Sequence, residues 1–512
     1  MQLRACYLDG ISGLMYHRRN GYTLKTWQTS LQNNMKRRTL WITCALALIV
    51  VCAGAGVLWA FTHNAQIATR VIDAALHDEK GTDRTVGAIV PRVLGFDRPN
   101  TVLFLFLNNT ELRPGGGFVG SYGVITFDHG VPTAMKIGDT QVLDDKAPKT
   151  FVVEPPEALK TYLQQPRWFF RDANWSPDFV TSAQRELQFY AAEGGEQADQ
   201  IHTIIGITPD VLSRIMKYTG PITIEGATFT SENVTDLIEY SVEVGFLHKQ
   251  IAPQDRKAIM GELAKELAVR MATLSPTKWG PLLDDAFRLI KERHIMVYDV
   301  EPRVQKTLDT LGWSGRLLPG TPDKLQIVDA NLAALKTDRV IDRAARYELA
   351  KDAKGQWQST VTVTYKHSGG FDWRTTRYRT YVRAFVPAGA TFLGGDGAME
   401  QDKSANPGTF HAQKEDGFLS VGAFVSVEPG TTKSITFRFT PSPDVLQALA
   451  ERRYGLLVQK QAGVPQFHLT IHHDFGTSIG QASPPEAPGF FGDNQYDWQG
   501  DIFTDQAFTI NW

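Results

Sequence analysis

The order of apolar and polar residues predicts that the chain changes fold class near residue 344. Thr101 to Leu107 is a continuous apolar run, as in a strand buried on both faces of a sheet. Strands and helices are predicted to mix before residue 344, which indicates one α/β domain over residues 92–343 with a parallel or mixed sheet. Further strands are predicted at residues 121–127, 131–137, 201–205, 222–224 and 295–298, and helices at residues 182–193, 209–219 and 255–274.

From about residue 347 onward, apolar positions alternate with polar ones. Val361, Val363 and Tyr365 show this period of two, and so do Phe437 and Phe439. Turn signals such as the Pro-Gly pair at residues 429–430 separate the alternating runs. The pattern predicts an antiparallel β-sandwich over residues 344–512.

A third apolar segment lies close to the N-terminus, at residues 39–61. It contains no charged residue and no proline, and it is long enough to cross the roughly 30 Å hydrocarbon core of a bilayer as one helix. A cleaved secretory signal is the alternative, although its apolar region is usually shorter. We predict a transmembrane helix, followed by a helical stalk over residues 62–91. Large apolar residues of this helix are Leu40, Trp41, Ile49, Leu58 and Phe61.

The charges of residues 1–38 predict the orientation of that helix. Seven basic residues stand there against one acidic residue, Asp9. By the positive-inside rule, this basic tail is cytoplasmic and the bulk of the chain is extracytoplasmic. We therefore expect a single-pass protein of the cell membrane. The basic residues are Arg4, Arg18, Arg19, Lys25, Lys36, Arg37 and Arg38.

Overall charge and cysteine content exclude several classes of function. The chain has 53 Lys and Arg against 55 Asp and Glu, a net charge of -2, so it lacks the basic field that attracts nucleic acid. Its three cysteines are Cys6, Cys44 and Cys52. The remainder of the chain therefore has no disulfide framework, no thiolate metal site and no cysteine nucleophile.

The first candidate site is the segment NNTELRPGGGFVGSYG, residues 108–123, directly after the first buried strand. A basic residue beside a glycine-rich turn at such a strand end is suited to hold a phosphate or another anion, and here that residue is Arg113. The alternative is a tight turn in which Arg113 pairs with Glu111 or another carboxylate. The sequence leaves both open.

Two motifs for other chemistry fail in the same segment. Gly115, Gly117 and Gly120 have the spacing of a dinucleotide-binding loop, but a strand pattern follows them where that fold requires a helix. Ser121 lacks both the first glycine of a hydrolase nucleophile elbow and the helix after it. Dinucleotide binding and serine hydrolysis are not expected.

The second candidate site is RDANWSPDFVTS, residues 171–182. Arg171 beside Asp172, with Asp178 nearby, could bind a divalent cation and the phosphate that it neutralises. The alternative is a loop whose aspartates form Asx turns and a helix cap. Arg256, near a predicted helix start, is a third basic candidate, and its alternative is a solvated helix face.

These two segments resemble the signature of a bacterial family of membrane-anchored exported proteins known only as a domain of unknown function. More distantly, the order of an arginine loop, the Arg171-Asp172 pair and a later basic helix start resembles the LytR-CpsA-Psr phosphotransferases. Pro114 follows Arg113 where their pattern has an aspartate. The resemblance implies a LytR-CpsA-Psr-like α/β fold and three sets of site residues: Arg113, Arg171 and Arg256 for phosphate, Asp172 and Asp178 for Mg²⁺, and Arg171 and Asp172 for catalysis.

That resemblance implies a cell-envelope protein that binds a polyprenyl pyrophosphate-linked glycopolymer and transfers it to the cell wall. Its partners would be the membrane and this lipid, with no nucleic acid. The alternative is a non-enzymatic envelope scaffold that binds glycan or protein. The first function requires Arg113, Arg171 and Asp172 to converge in one pocket beside an apolar channel.

Overall fold

The computed structural model describes residues 89–512, apart from 90, 91, 97, 130, 252–257, 487, 488 and 491. The predicted cytoplasmic tail, the transmembrane helix, nearly all of the stalk and Arg256 therefore lie outside the described residues. Within the part that is described, no helix is both long enough and apolar enough to cross a membrane.

The first region contains a mixed five-stranded sheet and a separate hairpin. Its strands are β1 (Asn100–Asn108), β2 (Phe118–Asp128), β3 (Val131–Asp139), β4 (Ile201–Ile207), β5 (Ile222–Ile224), β6 (Ala227–Phe229) and β7 (Ile295–Asp299). The strand order is β3-β2-β1-β4-β7, and β5 pairs with β6 alone. The central strand β1 is antiparallel to β2 and parallel to β4. The predicted buried strand is thus confirmed at the centre of the sheet.

Helices surround this sheet. They are α1 (Thr140–Lys146), α2 (Glu157–Leu163), α3 (Phe179–Ala192), α4 (Pro209–Thr219), α5 (Val234–Tyr240), α6 (Phe246–His248), α7 (Ala258–Ala272), α8 (Pro276–Lys291) and α9 (Pro302–Thr310). Short 3₁₀ turns span Phe170–Asp172, Ala198–Gln200 and Thr337–Val340, and one π turn spans Ser241–Gly245. Helix α4 begins with proline in its first turn and ends at Gly220, as its sequence predicts.

The C-terminal part contains two larger sheets. Its elements are β8 (Asp323–Asn331), β9 (Ile341–Lys351), β10 (Trp357–His367), β11 (Tyr378–Pro387), β12 (Thr391–Asp396), β13 (His411–Glu415), β14 (Phe418–Val427), β15 (Thr432–Thr440), α10 (Pro443–Ala450), β16 (Arg453–Val458), β17 (Phe467–Asp474), β18 (Gln481–Ser483), β19 (Gln495–Ile502) and β20 (Gln506–Asn511). One sheet has the order β12-β15-β10-β9-β17-β19 and the other β13-β14-β11-β8-β16-β20-β18.

Both C-terminal sheets are mixed, whereas the alternating pattern predicted antiparallel pairing throughout. β17 lies parallel to β9, and β16 lies parallel to β8. Parallel partners require a long connection between them, and the period of two within a strand carries no information about its distant neighbours. β8 precedes the predicted boundary at residue 343 and still forms part of the seven-stranded sheet.

Buried side chains from both C-terminal sheets form one core. Val361 and Phe437 contribute from the six-stranded sheet, and Val382, Val425 and Leu456 contribute from the seven-stranded sheet. A separate core lies on one face of β1, with Leu103, Leu105 and Leu107 among its members. Because β8 follows the first region directly, it brings the C-terminal sheets next to the end of β1.

Candidate functional site

The two sequence motifs lie against each other. We call residues 109–117 the glycine loop and residues 171–178 the aspartate loop. Arg113 Nε donates a hydrogen bond to Asp172 Oδ1 at 2.9 Å. Gly115 N donates to the Asn174 carbonyl oxygen at 3.0 Å, and Asn174 Nδ2 donates to the Gly117 carbonyl oxygen at 2.7 Å. Three hydrogen bonds therefore join the loops into one unit.

Arg113 is buried at the centre of that unit. Its Nη1 donates to the Asn331 carbonyl oxygen at 2.7 Å, and Glu111 Oε1 lies 3.7 Å from its Nη2. Burial by itself would lower the pKa of Arg113, but the neighbouring Asp172 and Glu111 carboxylates outweigh burial and raise it. The guanidinium is therefore charged and held by internal partners. This agrees with the second interpretation of the sequence, in which Arg113 pairs with carboxylates of the protein.

The glycine loop is also tied to the C-terminal part of the chain. Leu112 N donates to Asp338 Oδ2 at 3.0 Å. Gln461 Nε2 donates to the Arg113 carbonyl oxygen at 3.3 Å. Together with Asn331, these residues surround the loop from the side of the two large sheets.

Asp172 and Asp178 were the predicted magnesium ligands, and protein donors occupy both oxygens of each. Asp172 Oδ2 accepts from Gln165 Nε2 at 3.0 Å, in addition to the bond from Arg113. Asp178 accepts from Thr181 N and from Leu317 N, both at 3.0 Å, and so caps α3. Across the described ranges, no three His, Cys, Asp or Glu residues are grouped to hold a metal ion. These two aspartates do not fit Mg²⁺.

A cavity of about 320 Å³ opens beside the glycine loop. Its wall is largely apolar and is built by the ends of β1 and β2 together with α4 and α5. The volume lies at the lower end of the range for small-molecule pockets. Apolar residues of the wall include Phe106, Leu107, Phe118, Ile207, Val211, Leu212, Ile238 and Val242.

Arg171 lines this cavity, whereas Arg113 and Asp172 do not. Arg171 Nε lies 2.8 Å from Asp144 Oδ2. Lys336 is the second basic side chain of the described wall, and its Nζ lies 3.2 Å from Glu243 Oε1. The predicted phosphate-binding residues Arg171 and Arg113 therefore do not share one site. Arg171 lines the cavity, whereas Arg113 is buried between the two loops.

Asp144, the partner of Arg171, belongs to a group of three buried carboxyl residues that we call the carboxyl cluster. Its members are Asp144, Glu193 and Glu186. Burial is the largest cause that raises the pKa of each of them. A proton on Asp144 completes a hydrogen bond to Glu193, which further raises the pKa of Asp144 and lowers that of Glu193. Neither carboxylate oxygen of Glu186 has a hydrogen-bond partner among the described residues. This carboxyl cluster is therefore stabilised by protonation.

We expect the carboxyl cluster to lower the free energy of unfolding as the pH rises from 5 to 9, whereas the buried His294, Lys324 and Lys460, whose pKa values burial lowers, act in the opposite direction. A carboxyl whose pKa is raised in the folded state binds more protons there than in the unfolded chain, so folding weakens above the ordinary pKa of about 4. Glu186→Gln keeps the shape of the side chain without its charge, so the stability of this variant relative to the wild-type protein should increase as the pH rises. Urea unfolding of the full chain at several pH values measures the slope.

The matched control for this experiment is Glu262→Gln, since Glu262 is exposed on α7. That variant should retain the slope of the wild-type protein. An unchanged slope in Glu186→Gln would show that Glu186 is already compensated in the folded protein.

Sequence reasoning missed most of the cavity and the whole carboxyl cluster. Asn174 had a signal, because it lies within the motif that contains Arg171 and Asp172. Asp144 and Lys336 had no such signal in the sequence, because both lie outside that motif. The fold brings Asp144 to Arg171 and places Lys336 in the cavity wall.

Comparisons with solved structures give low similarity. A "putative nutrient binding protein" from Legionella pneumophila is 9% identical over 37% of this chain and 71% of that chain, with a TM-score of 0.24. An M1 zinc metallopeptidase from Deinococcus radiodurans is 11% identical over 34% of this chain and 42% of that chain, with a TM-score of 0.19. These scores support no conclusion about fold or function.

The comparison with curated proteins found no match. A family model described as "Protein of unknown function (DUF4012)" matches residues 97–242. That range contains the glycine loop, the aspartate loop, Asp144 and the whole of α5. Residues 97–242 thus match a domain family of unknown function, and this match supports the predicted resemblance to a family of that kind.

Proposed function

We propose that the protein binds a polyprenyl-phosphate lipid, the carrier of a cell-envelope glycopolymer, on the extracytoplasmic side of the cell membrane. In this proposal a LytR-CpsA-Psr-like α/β region with an N-terminal membrane anchor is followed by a β-sandwich. The observation that carries it is the cavity of about 320 Å³, which joins an apolar wall to the side chains of Arg171 and Lys336.

The apolar wall suits the tail of such a lipid. Aromatic residues from β1 and β2 and aliphatic residues from α4 and α5 line the cavity, so a hydrocarbon chain between them is shielded from water by the apolar wall. Each buried methylene group contributes about 0.8 kcal/mol. A tail of a few isoprene units would therefore supply most of the binding energy.

Arg171 suits the phosphate headgroup. Its ion pair with Asp144 weakens when Asp144 holds a proton, and burial favours that protonated form by raising the pKa of Asp144. The guanidinium is then able to form charge-assisted hydrogen bonds to phosphate oxygens. Lys336 lies in the same wall but pairs with Glu243, and the carboxyl groups of Glu111, Asp139 and Glu239 also line the cavity, so Arg171 is the main phosphate contact in this proposal.

The geometry favours binding without group transfer. Arg113, Asp172 and Asp178 would have to contact the phosphates or Mg²⁺ in a phosphotransferase, and all three are held by internal hydrogen bonds. Transfer of the glycopolymer with Mg²⁺ would require other ligands. This favours the non-enzymatic envelope protein over the transferase, with the lipid as its ligand.

The test is binding of farnesyl pyrophosphate, and of farnesol for comparison, to the full chain held in amphipol, with and without Mg²⁺. Leu212→Trp fills the cavity and should weaken binding of both compounds at least tenfold, a change of about 1.4 kcal/mol. Arg171→Ala should weaken binding of the pyrophosphate alone. Isothermal titration calorimetry measures each dissociation constant.

Leu393→Trp is the control, because Leu393 is exposed on β12 and does not line the cavity. It should bind both compounds as the wild-type protein does. Wild-type affinity in Leu212→Trp would show that the cavity is not the binding site. An absolute requirement for Mg²⁺ would contradict binding through Arg171 and Lys336 alone.

A further inference from the structure

Four large side chains remain exposed beside the cavity, and we call them the aromatic face. Phe371 is 66% exposed, Trp373 41%, Tyr240 41% and Leu335 45%. The rings of Tyr240 and Trp373 are in edge contact, with centroids 5.7 Å apart. Leu335 forms a β-bridge to Thr375, which holds the residue 371–375 loop beside it. Large contiguous apolar patches are rare on soluble monomers and mark interaction surfaces.

The loop that carries Phe371 and Trp373 is held in one conformation. Asp372 Oδ1 accepts hydrogen bonds from Arg374 N at 2.7 Å and from Thr375 N at 2.6 Å. Arg374 Nε donates to Glu239 Oε2 at 2.9 Å. Hydrogen bonds therefore hold the loop that exposes the rings of Phe371 and Trp373.

The same contacts join the aromatic face to the cavity. Glu239, which binds Arg374, lines the cavity wall. Lys336 lines it as well, and its backbone N donates to the Arg374 carbonyl oxygen at 2.9 Å. Two residues of the cavity wall therefore contact the loop that carries Phe371 and Trp373.

We propose that the aromatic face rests in the interfacial layer of the lipid bilayer, with the cavity beside it. Tryptophan and tyrosine favour this layer, because their rings enter the acyl boundary while their polar atoms stay among the headgroups. The apolar segment at residues 39–61 identifies the bilayer as the occupant, since it is long enough to hold the chain at a membrane.

The intervening chain is long enough for this contact. Twenty-seven residues, 62–88, separate the apolar segment from Ile89; they reach about 40 Å as the predicted helical stalk and about 90 Å if fully extended. Leu94 packs near the start of β1, whereas the glycine loop and cavity lie at its end, roughly 30 Å away for a strand of this length. The tether therefore allows the aromatic face to reach the bilayer in which the apolar segment would be anchored.

The bilayer contact goes beyond the proposed lipid binding, and it rests on the proposed function only through the membrane anchor. The two are separated by experiment, because binding of farnesyl pyrophosphate in amphipol requires no bilayer. Phe371→Ser should leave that binding unchanged, since Phe371 does not line the cavity.

The test uses the full chain in nanodiscs of phosphatidylethanolamine and phosphatidylglycerol that contain a doxyl-labelled quencher lipid. A fluorophore is placed at Phe371→Cys or, as the matched control, at Phe503→Cys, which replaces another exposed phenylalanine far along the chain, between β19 and β20. Both carry Cys6→Ser, Cys44→Ala and Cys52→Ala so that only one thiol is labelled. We expect loss of fluorescence at position 371 and none at position 503.

Three results would overturn the proposal. The first is equal quenching, or none, at positions 371 and 503. The second is energy transfer between labels at position 371 that increases with protein concentration while quenching is absent, because a second copy would then cover the face. The third is failure of the full chain to associate with the nanodiscs.

Discussion

Arg113→Ala is expected to lower the free energy of unfolding by about 3–5 kcal/mol, as removal of one partner from a buried ion pair does. The substitution leaves the Asp172 carboxylate without its cation inside the protein. It also removes the hydrogen bond to the Asn331 carbonyl oxygen. Both losses act in the folded state, because water solvates the same groups in the unfolded chain.

Urea unfolding of the full chain measures this change, with Arg98→Ala as its control. Arg98 and its partner Glu301 are both exposed, so that variant should cost about 1 kcal/mol or less. A double-mutant cycle with Asp172→Asn should recover part of the loss, because the uncompensated charge is then removed. If Arg113→Ala kept wild-type stability and lost farnesyl pyrophosphate binding, Arg113 would be a ligand-binding residue.

Gly117→Ala should be the most damaging small substitution in the glycine loop, at roughly 3 kcal/mol or more. Gly117 has φ of +154°, and a Cβ atom there would lie 2.5 Å from the Asn108 carbonyl carbon and 2.6 Å from its oxygen. Backbone atoms at this distance must move. Movement would displace the Gly117 carbonyl oxygen from Asn174 and so separate the two loops.

Gly194→Ala is the matched control for Gly117→Ala. Gly194 also has a positive φ, +84°, but no described atom lies within 4 Å of its Cβ position. Only the conformational cost of about 1 kcal/mol remains there. Thermal unfolding compares the two variants. Equal losses of stability in the two variants would show that the glycine loop adjusts its backbone to accept the Cβ atom. Gly117 would then be needed only for its backbone angle.

Much of the first region could be predicted because its signals are local. The run from Thr101 to Leu107 is apolar at every position except the first, which fits only an element buried on both sides. Pro209 and Gly220 mark the two ends of α4 by their restricted and permissive backbones. Neither conclusion depends on distant residues.

The parallel strand pairs and the cavity could not be predicted in this way. Whether β9 pairs with β17 depends on packing between strands more than 100 residues apart. The cavity likewise requires α4 and α5 to lie against the ends of β1 and β2. Apolar residues such as Leu212 and Ile238 have the same pattern whether they fill a core or line a cavity.

The two roles considered for Arg113 show where sequence reasoning ends. A phosphate ligand and a buried structural cation have the same residue type beside the same glycines. The difference comes from Asp172, 59 residues away, and Asn331, 218 residues away, which satisfy the guanidinium internally. Motif spacing singled out the glycine loop and the aspartate loop, but it does not distinguish these two roles of Arg113.

The attachment of the glycine loop to the C-terminal part constrains how this chain can evolve. Leu112 and Arg113 lie within the matched family region, yet their partners Asn331, Asp338 and Gln461 lie beyond it. Recombination that exchanged the later segment would have to supply equivalent partners at once, since a buried cation or amide without them is costly. In this chain, substitutions at Asn331, Asp338 or Gln461 are therefore expected to limit those tolerated in the glycine loop, and the reverse.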